Sequence, residues 1–146
     1  MTGLETIRAI AAGELPGAPI AELLGFGPVH VDEGRVVFAA EPTARHYNPI
    51  GTVHGGLAAT LLDSAMGCAV HSTLPAGVGY TTLELKVNFT RPITSETGRI
   101  LCEGTVVHRG GRVATAEGRV YAEADGRLLA HGTTTCLILQ PNGHGA

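Results

Sequence analysis

Apolar residues along this chain are spaced first for a helix, then for strands, then for a longer helix, and alternate from there to the end. Leu4, Ile7, Ile10 and Ala11 share one face of a predicted amphipathic helix over 4–12, with Gly13 as its C-cap. Pro16 and Pro19 break the chain, and residues 20–24 make one helical turn. From Gly25 to Ala40 the pattern is β-like, with a turn at Asp32-Glu33-Gly34. A loop follows over 41–53. Leu57, Leu61, Leu62, Ala65, Met66, Ala69 and Val70 then recur at helical spacing, predicting a long helix from about Gly55 to Ser72.

The remainder reads as strands. Thr81, Leu83, Leu85, Val87 and Phe89 alternate with Tyr80, Thr82, Glu84, Lys86 and Asn88, and Pro92 stops that strand. Further strands are predicted at 99–108, 112–123 and 127–139, with a turn at Ala124-Asp125-Gly126 and a frayed tail at 141–146. The fold class is α+β in one domain, residues 1–146: a curved antiparallel sheet, its last four strands a meander, wrapped around one long helix. Such wrapping explains a helix that is apolar nearly all round.

Composition narrows the function. At 146 residues the chain is long enough for a core of its own. Only 16% of residues are charged, so part of the surface is expected to be covered by another subunit. A net charge of -3 without a basic run argues against a nucleic-acid partner. No apolar run suits a membrane span, and Glu5 and Arg8 interrupt the N-terminal stretch, so no signal peptide is read there. Cys68, Cys102 and Cys136 lie far apart among apolar neighbours and read as reduced core thiols of a cytoplasmic protein.

From His46 to Leu83 the only formally charged residue is Asp63. A carboxylate among Ala, Leu, Met and Gly is costly to desolvate, so it either has a task or is bonded to a facing backbone. As a task, it activates water or attacks a carbonyl. Nine residues earlier stands His54-Gly55-Gly56, at a helix start where unpaired N–H groups and the dipole meet. The Gly55 N–H is the candidate oxyanion donor, although the two glycines also suit a tight turn. Asn48 either makes a turn with Pro49 or orients the reacting groups. His54 either bonds backbone at the helix start or shuttles a proton. The spacing of His46 and His54 matches no tight zinc motif.

The stretch HYNPIGTVHGGLAATLLDSAMGCA, with TTLELKVNFTRP after it, resembles the hotdog-fold acyl-CoA thioesterases of the PaaI-like, phenylacetate-pathway group. The resemblance rests on Asn48, Gly51, His54-Gly55-Gly56 and Asp63. It implies a homodimer joined edge to edge, often paired into a homotetramer, with two sites at the dimer interface. It implies Asp63 as general base or nucleophile, Gly55 as oxyanion donor, Asn48 as a positioning residue and His54 as a supporting histidine. It also implies a hydroxyl from the other subunit near the start of the central strand. Thr82 is the best match, on that strand's polar face, and Thr81 fits if the register slips by one.

Three functions remain at this point. One is hydrolysis of short, medium or aryl acyl-CoA with no metal or redox cofactor. Another is hydration or dehydration of acyl thioesters on the same fold. The third is binding of acyl thioesters without catalysis. Arg91, Arg109 and Arg112 are candidates for coenzyme A phosphates, though each also suits a solvated position.

Overall fold

The computed structural model describes residues 1–141, so most of the tail predicted to fray lies outside the described residues. Helix α1 (Gly3–Ala11) opens with a capping box: Thr2 Oγ1 accepts the Glu5 N–H, and the Glu5 carboxylate accepts the Thr2 N–H. Gly13, at φ 77°, follows its C-cap. Helix α2 (Pro19–Leu24) has proline at its start and ends at Gly25, at φ 79°. Strands β1 (Phe26–Asp32) and β2 (Arg35–Ala40) form a hairpin, and helix α3 (Gly55–His71) follows. Then come β3 (Gly79–Phe89), β4 (Ile100–Arg109), β5 (Val113–Ala122) and β6 (Leu128–Leu139).

The six strands make one antiparallel sheet in the order β1-β2-β4-β5-β6-β3. It curls around α3, which is the hotdog arrangement. The expected four-strand meander needs correction: β4, β5 and β6 form one, but β3 pairs with β6 and, among the described residues, has no other strand beside it. The link over 90–99 is no hairpin. It holds Pro92 and a 3₁₀ turn at Ser95–Thr97, and passes the start of α3, where the Val53 N–H donates to the Ile93 carbonyl at 2.8 Å.

Leu57, Leu61, Leu62, Ala65, Met66, Ala69 and Val70 are buried against the sheet. Large side chains such as Leu61, Leu62 and Met66 contribute about 1.5–3 kcal/mol each. The helix is not covered all round, however. Thr60, Asp63, Ser64, Cys68 and His71 form a half-buried stripe.

The helix sits on a row of glycines. Gly104 pairs with Gly118, and Gly118 with Gly132, across β4, β5 and β6. A Cβ on Gly104 would overlap the Ala65 carbonyl, and one on Gly118 would lie 2.9 Å from Leu62 Cδ2. Backbone cannot swing aside as a side-chain tip can. Gly104→Ala is therefore expected to cost about 2 kcal/mol or more and lower Tm by about 5–10 °C. A thermal melt checks this; a wild-type Tm would mean that sheet and helix separate at no cost.

Candidate active site

Asp63 lies on the third turn of α3, on the half-buried stripe, and Thr82 Oγ1 donates to its Oδ1 at 2.8 Å. The bond is made within one chain, whereas the sequence reading placed this threonine on a second subunit. The expected face is also corrected. Perfect alternation would put Thr82 opposite Leu85 and Val87. Instead β3 bulges between Thr82 and Glu84. Leu83 is left outside at 56% exposure, while Tyr80, Thr82, Leu85 and Val87 all turn inward. Thr134, 2% exposed on β6, holds the bulge by donating its hydroxyl to the Glu84 carbonyl at 2.8 Å. Asp63 Oδ2 accepts no hydrogen bond among the described residues, so one oxygen is fixed and the other is open to a water or a carbonyl carbon.

At the start of α3, His54 is the N-cap, and its Nδ1 accepts the Gly56 N–H at 2.8 Å. That bond requires an unprotonated Nδ1 and commits the ring to the backbone. The His54 carbonyl accepts the Leu57 N–H at 3.0 Å. The Gly55 N–H has no acceptor among the described residues and points from the positive end of the helix. The Phe89 ring packs on Gly55, where a Cβ would come 3.0 Å from its Cζ.

Asn48 organises its own loop. Its Oδ1 accepts the Ile50 and Thr52 N–H groups at 3.0 and 3.2 Å, and its Nδ2 donates to Thr52 Oγ1 at 3.0 Å. None of these bonds reaches Asp63. His46 anchors the same loop. Its Nδ1 accepts the Thr43 N–H at 3.0 Å and its Nε2 meets the Leu24 carbonyl at 2.7 Å. Its main-chain carbonyl takes the His54 N–H at 2.7 Å. The rings of His46 and His54 are thus held by backbone rather than converging on a metal. Thr81 points outward.

The structure therefore joins Thr82 to Asp63, places His54 and Gly55 at the helix start, and leaves Asn48 in the loop before it, bonded to Ile50 and Thr52. It holds the first pair apart from the second. Asp63 lies eight helical steps beyond Gly55, about 12 Å along the axis.

A cavity of about 310 Å³ opens at the helix start between His54, Gly55, Phe89 and Arg91. Of the three arginines singled out from the sequence, Arg91 alone lines it; Arg109 donates to the adjacent Gly110 carbonyl instead. A second cavity, of about 500 Å³, lies between α3 and the α1–α2 segment; Ser64, Cys68 and Tyr80 line it, and Asp63 itself does not. Sequence reasoning missed Ser64 and Tyr80. Their one sequence signal was position: Ser64 adjoins Asp63, and Tyr80 precedes Thr82 by two on the same strand. Burial, with a smaller contribution from the Asp63 carboxylate, pushes the Cys68 thiol up to about 12, which makes it a poor nucleophile. Burial likewise raises Cys102 and Cys136.

The thioesterase superfamily model matches residues 50–129. A protein of Halobacterium salinarum described as an esterase is 40% identical over 87 residues, 58% of this chain. That match spans only 56% of the relative's own length. Human acyl-coenzyme A thioesterase 13 is 29% identical over 103 residues, 70% of this chain and 71% of that protein. A solved thioesterase-class structure, a phenylacetic acid degradation-related protein from Ralstonia eutropha JMP134, superposes with a TM-score of 0.80 at 30% identity. It covers 90% of this chain and 98% of its own.

Proposed function

Because this chain belongs to the thioesterase superfamily, as a PaaI-like enzyme of the hotdog fold, we propose that it hydrolyses acyl-CoA thioesters to the free acid and coenzyme A. One observation carries the reading: a carboxylate with one oxygen held by Thr82 and the other open, on the same helix as an unpaired N–H at its start. The thioester oxygen lodges at the Gly55 N–H, where the developing negative charge meets the helix dipole. The open oxygen of Asp63 takes a proton from water as the water oxygen bonds to the carbonyl carbon. The C–S bond then breaks, and the thiolate leaves and is protonated. In the covalent variant that same oxygen attacks first, and water opens the resulting anhydride. Neither route calls for a metal or redox group. The pantetheine arm runs through the cavity beside Arg91.

A spacing of about 12 Å along the helix prevents one chain's Gly55 and Asp63 from acting on the same carbonyl. A second copy supplies the missing half. Among the described residues no strand pairs with the outer side of β3 along Gly79–Phe89, and Leu83 and Phe89 are exposed at 56% and 60%. Thr82, bound to Asp63, stands near its start, and Phe89, packed on Gly55, stands at its end. Antiparallel pairing of two β3 strands about Leu85-Lys86 puts one copy's Thr82 opposite the other's Phe89. Asp63 of one copy then faces Gly55 of the other across a two-fold axis, giving two sites per dimer.

Hydration is less well supported, because the basic nitrogen of His54 is occupied by the Gly56 N–H. The first test is thiol release from short, medium and aryl acyl-CoAs. Thr82→Val is expected to lower kcat about tenfold with KM little changed, since it frees the carboxylate without removing it. Absence of turnover on every thioester would refute hydrolysis, and an unchanged kcat in Thr82→Val would remove the hydroxyl from the mechanism.

A further inference from the structure

The larger cavity contains a hydroxyl that the proposed chemistry does not use. Tyr80 lies inward on β3 and packs flat on the helix at Gly67, where a Cβ would come 2.6 Å from its hydroxyl oxygen and 2.9 Å from Cε2. Its ring centroid is 5.6 Å from that of His71. No hydrogen-bond partner for this hydroxyl exists among the described residues. The surrounding walls are mostly apolar, with Ile7 and Ile10 from α1, Ala21 from α2, and Phe26 and Phe38 from the first hairpin, but Glu22 and Ser64 also line the cavity. The hydroxyl is open to the cavity, so an acyl group that covers it without offering an acceptor leaves it unpaired at a cost. Burial raises its ionisation well above the usual tyrosine range, so it stays protonated and can donate.

The cavity reaches the residue next to the proposed catalytic carboxylate. Ser64, the residue after Asp63, is part of its wall, and Tyr80 precedes Thr82 on the same inward face. Gly67, under the Tyr80 hydroxyl, is four residues from Asp63, about 6 Å along the helix. About 500 Å³ suits a compact acyl group rather than a long chain.

We propose that Tyr80 is a specificity-determining residue: seated on Gly67, it donates a hydrogen bond to an oxygen carried by the acyl group about 6 Å from the thioester carbonyl. This deepens the thioesterase reading and rests on it. A hydroxyl across an aromatic ring and one at the end of a short aliphatic chain both meet the distance. A group lacking the oxygen fills the same space but leaves the tyrosine unpaired.

The test compares two pairs of substrates: para-hydroxybenzoyl-CoA with benzoyl-CoA, and ω-hydroxypentanoyl-CoA with pentanoyl-CoA. In the wild type, kcat/KM is expected to favour the oxygenated member of at least one pair by about 10- to 100-fold. The pair showing the preference identifies ring or chain as the skeleton. Tyr80→Phe, which removes only the hydroxyl, is expected to bring that ratio close to one. Equal rates within both pairs, or a preference that survives in Tyr80→Phe, would overturn the proposal. Binding keeps this outcome separate from that of the hydrolysis reading. Titration of the same CoA esters into Asp63→Asn, with and without Tyr80→Phe, gives the discrimination as a Kd ratio without turnover. A preference in Kd that disappears with the hydroxyl supports the tyrosine even if no thiol is released. Equal Kd values, or no binding of either member, count against it.

Discussion

Asp63→Asn is expected to lower kcat on acyl-CoA by about 10³-fold or more, the largest effect of any single side chain here. The change is nearly isosteric. An asparagine oxygen still accepts the Thr82 hydroxyl, so the bulged segment of β3 and the half-buried stripe of α3 keep their packing. On the proposed mechanism, what disappears is the oxygen that accepts the proton of water or attacks the carbonyl. KM is expected to move little, because the proposed acyl and pantetheine contacts lie elsewhere. Thiol release measures the rate, and the melting temperature and oligomeric state show that the variant is folded. Retention of a tenth or more of the wild-type rate would exclude both the general-base and the nucleophile roles.

Removing the proposed oxyanion donor is the second large effect expected, and the position allows it to be done cleanly. Gly55 is the first helical residue after the His54 cap, where proline is well tolerated because its missing N–H has no intrahelical partner. His54, at φ −58° and ψ 133°, already has the backbone conformation that precedes proline. Only the Phe89 ring must yield, and it stands exposed at the end of β3. Gly55→Pro is expected to reduce kcat by about 10²- to 10³-fold. Mixing then tests the shared site. If Gly55 of one copy works with Asp63 of the other, Gly55→Pro and Asp63→Asn chains refolded together give heterodimers with one intact site. Random assortment returns about a quarter of wild-type activity. No recovery, in a mixture shown to contain heterodimers, would put both groups of each site on one chain and contradict the helix spacing.

Much of this candidate site was legible along the chain. The isolation of Asp63, the glycines at a helix start and the turn residues around Asn48 are local features. Each is bound to its place by helix geometry or capping chemistry, which act over a few residues. The same holds for the boundaries of α1, α3 and the strands. Capping boxes, left-handed glycines and apolar periodicity decide them before any long-range contact forms.

The partner of Asp63 was a different matter. Reading β3 as uninterrupted alternation placed Thr82 on the wrong face, because one extra residue in a ladder reverses everything beyond it. That bulge is fixed by Thr134 on β6, some fifty residues away, which takes the Glu84 carbonyl. Strand order was equally hidden: β3 lies beside β6 because the sheet closes around α3, not because of any turn between them. The seat of Tyr80 on Gly67 also joins residues on different elements. The sequence by itself determined which elements form and which groups can carry the chemistry, since both depend on neighbours within a turn or a strand. The tertiary structure alone decided which of those groups meet, because pairing register and the fit of helix on sheet are settled only when distant backbone hydrogen bonds close.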